Sequence, residues 1–240
     1  MQTMWPRPLA ERWMKAEVMD QPGLPATEHH RALRALARIN WISRSPGMLS
    51  RPIEVAACEN RPRPIRVLDL ACGGGDGVVA LARSFARRGF NIQWSGCDLS
   101  NIAVGHAREH AEGNRVRVEF FECDVVSEEI PANFDVVMCS LFLHHLTEDQ
   151  AVALLSKMGA AAGRMVLVND LVRSTAGYLL AQAACRFLTR SRVVRNDGPL
   201  SVANAFTTKE MQRLASAAGL SGAKIVRHWP ARMLLEWRKA

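Results

Sequence analysis

The chain has 240 residues, of which 48 % are hydrophobic and 22 % charged, with a formal net charge of +8. That is enough for one large domain with a full core, and it excludes a disordered or fibrous chain. No run of about 18 apolar residues occurs and the first residues hold no apolar leader, so a cytoplasmic protein without a membrane span is expected.

In chain order, residues 1–62 read as mostly helical. Ala10 to Met19 are good helix formers, and a helix over 27–45 starts at an N-cap Thr27 with Leu33, Leu36, Ala37 and Ile39 at helical spacing. Pro46–Gly47 is expected to stop it, and Pro62 and Pro64 mark a linker. Then the period changes. The run 65–71 is short and continuously apolar, as in a parallel strand buried on both faces. A helix (76–89), a strand (91–99), a capped helix (100–113) and a strand (114–125) follow. After them come a strand (134–143), a helix (147–163) and a fifth strand (164–171). Strands alternating with helices predict a parallel, doubly wound sheet. Residues 173–195 read as one amphipathic helix, and 207–220 as a helix with the capping box Thr207/Glu210. Two apolar runs flanking Pro230–Ala231 predict a closing hairpin with an antiparallel last strand. The expected division is a helical lid over 1–62 and an α/β domain over 63–240 with a helical insertion at 173–195.

The stretch "VLDLACGGGDG" (67–77) carries the chemistry. A phosphate loop needs G-x-x-x-x-G-K-[ST], but no Lys or Arg lies between Gly73 and Ala82. A dinucleotide loop needs a third glycine where Val78 stands. The remaining pattern is an acid followed by small residues, filled by Asp69, Ala71, Gly73 and Gly75. It suits a ligand that the backbone approaches closely and that carries no phosphate. Asp98, beside Leu99, ends the second strand and can accept ribose hydroxyls. Asp124, beside Val125, ends the third and can accept an exocyclic amine.

With these residues the chain resembles the class I S-adenosylmethionine-dependent methyltransferases over roughly residues 64–238. The resemblance implies a seven-stranded sheet of order 3-2-1-4-5-7-6 and S-adenosylmethionine as cofactor. It places Asp69, Gly73 and Gly75 at the methionine end, Asp98 at the ribose, Asp124 and Val125 at the adenine, and Ser140 and Leu141 at the methyl donor. Ala71 replaces a usual glycine.

His144 and His145 follow the fourth strand, at the carboxyl edge where such sheets bind ligands. They are the candidate bases for drawing a proton from a hydroxyl acceptor, and only one of them is expected to face the substrate. Asn169 and Asp170 are secondary polar candidates. They reverse the order of the pair in metal-dependent catechol methyltransferases, and Cys139–Ser140 stand where an acid is needed, so no metal is expected. None of the six cysteines forms C-x-x-C, so reduced buried thiols are expected instead of a zinc site.

The apolar residues Trp13, Met14, Ile39, Trp41 and Ile42, with Tyr178, Leu179, Leu180, Phe187 and Leu188, are expected to form a lid over a hydrophobic small molecule. "FLHHL" and residues 191–207 are similar to the small-molecule branch of ubiquinone/menaquinone methyltransferases and to those accompanying type III polyketide synthases. That likeness implies a phenolic or quinone-like lipid acceptor, with Arg195 and Asp197 near the entrance. Oxygen is the preferred acceptor atom, with ring carbon as the alternative. An RNA or protein methyltransferase rests only on the basic charge. That charge comes from 26 arginines scattered along the chain, and no aromatic motif for a flipped base follows the fourth strand. No nucleic-acid partner is expected; transient contact with a membrane surface and the oligomeric state stay open.

Overall fold

The computed structural model describes residues 9–18, 45–189 and 191–239. The helix expected over 27–45 falls almost entirely outside these, as do Ile39, Trp41 and Ile42. Helix α1 (Ser45–Glu59) leads into strand β1 (Ile65–Leu70), α2 (Asp76–Arg87), β2 (Ile92–Asp98), α3 (Asn101–Gly113), β3 (Glu119–Glu122) and β4 (Phe134–Ser140). A single turn at Leu143–His145 precedes α4 (Glu148–Ala161) and β5 (Ala162–Leu171). Helices α5 (Thr175–Leu188), α6 (Arg192–Asn204) and α7 (Thr208–Ala217) follow, then the hairpin β6 (Lys224–His228) and β7 (Arg232–Arg238).

The seven strands lie in the order β3-β2-β1-β4-β5-β7-β6. Strands β1 to β5 pair in parallel, and β7 runs antiparallel to both β5 and β6, as the sequence predicts. The continuous apolar runs are explained by alternation between two cores. On β1, Ile65 and Val67 face a layer with Leu81 and Phe85 of α2, whereas Leu68 and Leu70 face Leu154 and Met158 of α4. Strand β4 divides its Val136/Met138 and Val137/Cys139 pairs in the same way. Each central strand therefore carries apolar residues on both faces.

Two expectations about helices need correction. Residues 10–18 are not an α-helix; their backbone is irregular, with side chains and main chain bonded to distant segments instead of to each other. Tertiary contacts override propensity here. Pro46–Gly47 lies in the first turn of α1, where a proline costs no backbone bond; the helix it is expected to stop lies almost entirely outside the described residues. The helix expected over 173–195 is two helices. Ser191 caps the second by accepting the Val194 N–H, and Arg195 donates to the carbonyls of Thr189 (2.9 Å) and Arg186 (3.1 Å). The break and the α6 cap bring α6 back alongside α5. The third strand is also shorter than expected, confined to Glu119–Glu122. Both helices flanking the sheet at α4 and α7 start with capping boxes, Thr147/Gln150 and Thr207/Glu210.

Candidate active site

The carboxyl edge of the sheet opens at the junction of β1 and β4, where helix connections leave to opposite faces. After β1 the chain turns sharply: Ala71, Gly73 and Gly75 all adopt positive φ (50°, 55° and 76°). Gly75 caps α2 and lies so close to Ala107 and Phe120 that a Cβ would come within 3.0 Å of both side chains. At the end of β4 Leu141 is also left-handed (φ 58°), tied to β5 by its N–H to Asn169 O (2.8 Å). Non-glycine residues in this region are strained, and such strain clusters where a ligand is clamped.

Between these two strand ends lies a cavity of 460 Å³. It gathers Asp69, Ala71, Gly73, Ser140, Leu141, His144 and His145, all singled out from sequence. Gly75, Asp98, Leu99, Asp124 and Val125 lie outside its walls. Gly75 packs inward instead. Asp98 points back at the loop, accepting the N–H groups of Gly73 (2.8 Å) and Ser100 (3.0 Å). Asp124 accepts the Val126 N–H (3.0 Å) and the Ser127 hydroxyl (2.7 Å), Val125 is buried in the core, and Leu99 is exposed. A carboxylate has lone pairs for several partners, so these bonds leave Asp98 and Asp124 able to accept a ligand donor.

Asp69 is 4 % exposed, and its Oδ1 accepts no hydrogen bond. Burial, reinforced by the charge of Asp98, pushes its carboxyl up to about 8. A buried carboxyl facing an open cavity with an oxygen unsatisfied suits a cationic ligand. Burial also pushes up the thiols of Cys72, Cys97 and Cys139, so none is an activated nucleophile. All six cysteines are free thiols.

The other end of the cavity is built from side chains. His144 is buried, and its Nδ1 lies 2.7 Å from Asp170 Oδ1; its backbone N–H donates to Asp170 Oδ2 (3.1 Å). Burial alone would raise the Asp170 carboxyl, but attraction to His144, that hydrogen bond and the Leu171 N–H hold it below its ordinary value. Asp170 thereby fixes Nδ1 as the donor and turns Nε2 inward. The ring of His145 lies 4.2 Å from that of His144, and both line the cavity. This corrects the expectation that only one histidine faces it: the tight turn at 143–145 stacks the two rings instead of splaying them.

Two contributions escaped the sequence. Glu17, from the strap over residues 9–18, reaches to 3.7 Å from His144 Nε2 and accepts the Ser201 hydroxyl at 2.6 Å. Arg232, at the start of β7, is buried in the wall, where desolvation lowers it to about 10 although Asp170 raises it. Small residues of α5 and α6, Ala181, Ala184 and Gly198, complete the wall. Of the apolar lid residues, Leu180 lines the cavity. Trp13 stacks on Tyr178 with ring centroids 5.7 Å apart, and Leu179, Phe187 and Leu188 face solvent. Arg195 donates to the carbonyls of Thr189 and Arg186, Asp197 accepts the Val18 N–H (3.0 Å), and neither lines the cavity.

The strand order and the glycine turn after β1 define the class I methyltransferase fold, whose cofactor is S-adenosylmethionine. The chain matches, over residues 67–162, the family model described as a methyltransferase domain. It is 32 % identical over 162 residues to the ubiquinone biosynthesis O-methyltransferase of Paraburkholderia phymatum, covering 67 % of this chain and 66 % of that one. With the protein of the same name from Azoarcus sp. it shares 31 % identity over 157 residues, 65 % and 64 % of the two chains. The chain thus spans somewhat less than two thirds of the length of these relatives. In fold it is similar to the magnesium protoporphyrin IX methyltransferase of Synechocystis PCC 6803 with bound SAH (TM-score 0.57, 16 % identity, 92 % and 91 % covered). It is similar also to the plantazolicin methyltransferase crystallised with SAH (TM-score 0.64, 12 % identity, 88 % and 90 % covered).

Proposed function

We propose that the protein transfers a methyl group from S-adenosylmethionine to an oxygen of a hydrophobic small molecule, of phenolic or quinone-like type. Similarity to ubiquinone O-methyltransferases supports the class of acceptor, and the apolar α5–α6 wall supports its hydrophobic body. The observation that carries the reading is the Asp170–His144 pair, set in the same cavity as the glycine turn. No helix of the described residues is long and apolar enough to cross a membrane, which fits a cytoplasmic enzyme.

The cofactor supplies an activated methyl on a sulfonium. The chain's own residues do the rest. The turn at 71–75 and Asp69 hold the amino-acid end, where a cation satisfies the orphaned Asp69 oxygen. Asp98 takes the ribose and keeps Gly73 in place through the same carboxylate. Asp124 takes the adenine amine, and Ser140 and Leu141 flank the reacting centre. His144 receives the acceptor's proton at Nε2, with Asp170 keeping Nδ1 protonated and the ring aligned. Positioning of this kind can contribute roughly 7–11 kcal/mol, and a base about 10²–10⁴-fold.

Calorimetric titration with S-adenosylmethionine and S-adenosylhomocysteine, beside ATP and NAD, tests the cofactor. Binding of the sulfur nucleosides alone is expected, and a proton should be released to buffer near pH 7 as Asp69 ionises. Mass spectrometry of a panel of alkylresorcinols and quinols then reads the acceptor; product carrying the methyl on carbon would replace the oxygen assignment.

A further inference from the structure

The strap over residues 9–18 has no regular structure, yet it is among the most heavily tethered segments. Arg12 donates to the carbonyls of Asn204 (2.6 Å), Leu146 (2.8 Å) and His144 (3.0 Å) and lies 3.6 Å over the Phe206 ring. Asn204 clamps Lys15 through both its N–H and its C=O, at 3.2 and 2.8 Å. Arg173 holds the carbonyls of Leu9 and Ala10 while paired with Glu210. Asp197 fixes the far end at Val18. Between the last two anchors, at Lys15 and Val18, stands Glu17, 7 % exposed.

Burying a carboxylate costs several kcal/mol unless something in the site uses it. The Ser201 hydroxyl occupies one position on Glu17 Oε1. The same oxygen lies 3.7 Å from His144 Nε2, beyond hydrogen-bond length but within ion-pair range. The imidazole is therefore flanked by two buried acids of different kinds. Asp170, at 2.7 Å, bonds the resting ring, whereas Glu17 stands off from the nitrogen that is to receive a proton.

We infer that Glu17 is a positioning residue of the methyl transfer, delivered by the strap to hold His144 once it is protonated. The inference rests on the reading of His144 as the base. In the step, the acceptor O–H bond breaks and its proton passes to Nε2, leaving the electron pair on oxygen. That pair forms the O–CH₃ bond, and the S–CH₃ electrons stay on sulfur. The new N–H⁺ faces Glu17, which neutralises it and hands the proton to solvent as product leaves. Nothing in a methyltransferase motif assigns this role, because Glu17 lies 50 residues before the matched domain begins.

The test compares Glu17→Gln, Glu17→Asp and His144→Ala with the wild-type chain. Glu17→Gln keeps the shape and the Ser201 bond. It should lower kcat by about 10–100-fold, the loss of one charge-assisted interaction, leaving acceptor KM, S-adenosylhomocysteine affinity and thermal midpoint unchanged. Glu17→Asp should recover part of the rate. Independently of any acceptor, the ¹⁵N resonance of His144 Nε2 should move in Glu17→Gln. Full rate in Glu17→Gln, or an unmoved resonance, overturns the role of Glu17 while a slow His144→Ala leaves the base intact. Full rate in His144→Ala overturns the base itself. The donor atoms of Glu17, His144 and His145 lie within 4.8 Å of one another. Loss of activity on EDTA dialysis, restored by Zn²⁺ or Mn²⁺ alone, would replace the proton role with a cation.

Discussion

The two ends of the cavity are built on different principles. The cofactor end is backbone: a strained turn over 71–75, a left-handed Leu141, and carboxylates at successive strand ends. The acceptor end is side chains from distant segments: Glu17 from the strap, His144 from a one-turn helix, Asp170 from β5, Ser201 from α6 and Arg232 from β7. The first depends on local φ and ψ and on close approach. The second depends on the whole chain being folded. Damage to the first should therefore appear as lost affinity or stability, and damage to the second as lost rate.

The largest expected effect is on the second. His144→Ala should slow turnover by roughly 10²–10⁴-fold with S-adenosylhomocysteine affinity unchanged in calorimetry; a parallel loss of affinity would erase the distinction between the ends. Next is Asp98→Ala, which removes the acceptor of the Gly73 and Ser100 N–H groups as well as the proposed ribose partner. Cofactor binding should weaken by about 10–100-fold, the worth of hydrogen bonds to a charged group. Unchanged affinity sinks the ribose assignment.

Asp69 gives a pH test. Its folded carboxyl titrates near 8, whereas an unfolded one titrates near 4. Between those values the folded chain holds a proton that the unfolded chain has lost. The stabilisation is thus complete below about pH 4 and disappears as pH rises through 8. Thermal midpoints of the ligand-free protein should fall over that window, and Asp69→Asn should flatten the slope. A slope that persists in Asp69→Asn would assign it to another group. The smallest effect belongs to Gly75→Ala. A left-handed alanine costs about 1–2 kcal/mol, and crowding by Ala107 and Phe120 adds to it. The midpoint should drop by about 4 °C or more, with kcat unchanged under folded conditions.

The same contrast governs what the sequence reveals. The parallel strands, the hairpin and the glycine turn are legible because each leaves a local pattern, such as a continuous apolar run or an acid followed by small residues, whereas the strand order came from the resemblance that the turn carries. Seven of the site residues singled out there do meet at one cavity, including both histidines. Glu17 and Ser201 leave no such pattern, because their meeting depends on how the strap lies against α6. Good helix formers at 10–19 pointed the wrong way, since Arg12 finds carbonyls 132 to 192 residues distant. The break between α5 and α6 was hidden by polar residues that suit a helix surface and a cap equally well. Asp170 was visible at a strand end, but its partner was set by the turn at 143–145.

One feature of the wall bears on how the protein is made. Residue 17 and residue 232 both line the same cavity. During synthesis the strap emerges before the sheet, and the hairpin that bears Arg232 follows strands β1 to β5. Strands β1 to β4 and their helices can begin packing as they leave the ribosome, whereas the acceptor end must wait for β7 to insert between β5 and β6. A nascent chain, or one truncated before residue 232, can thus have the turn that greets the cofactor and still lack any means of using it.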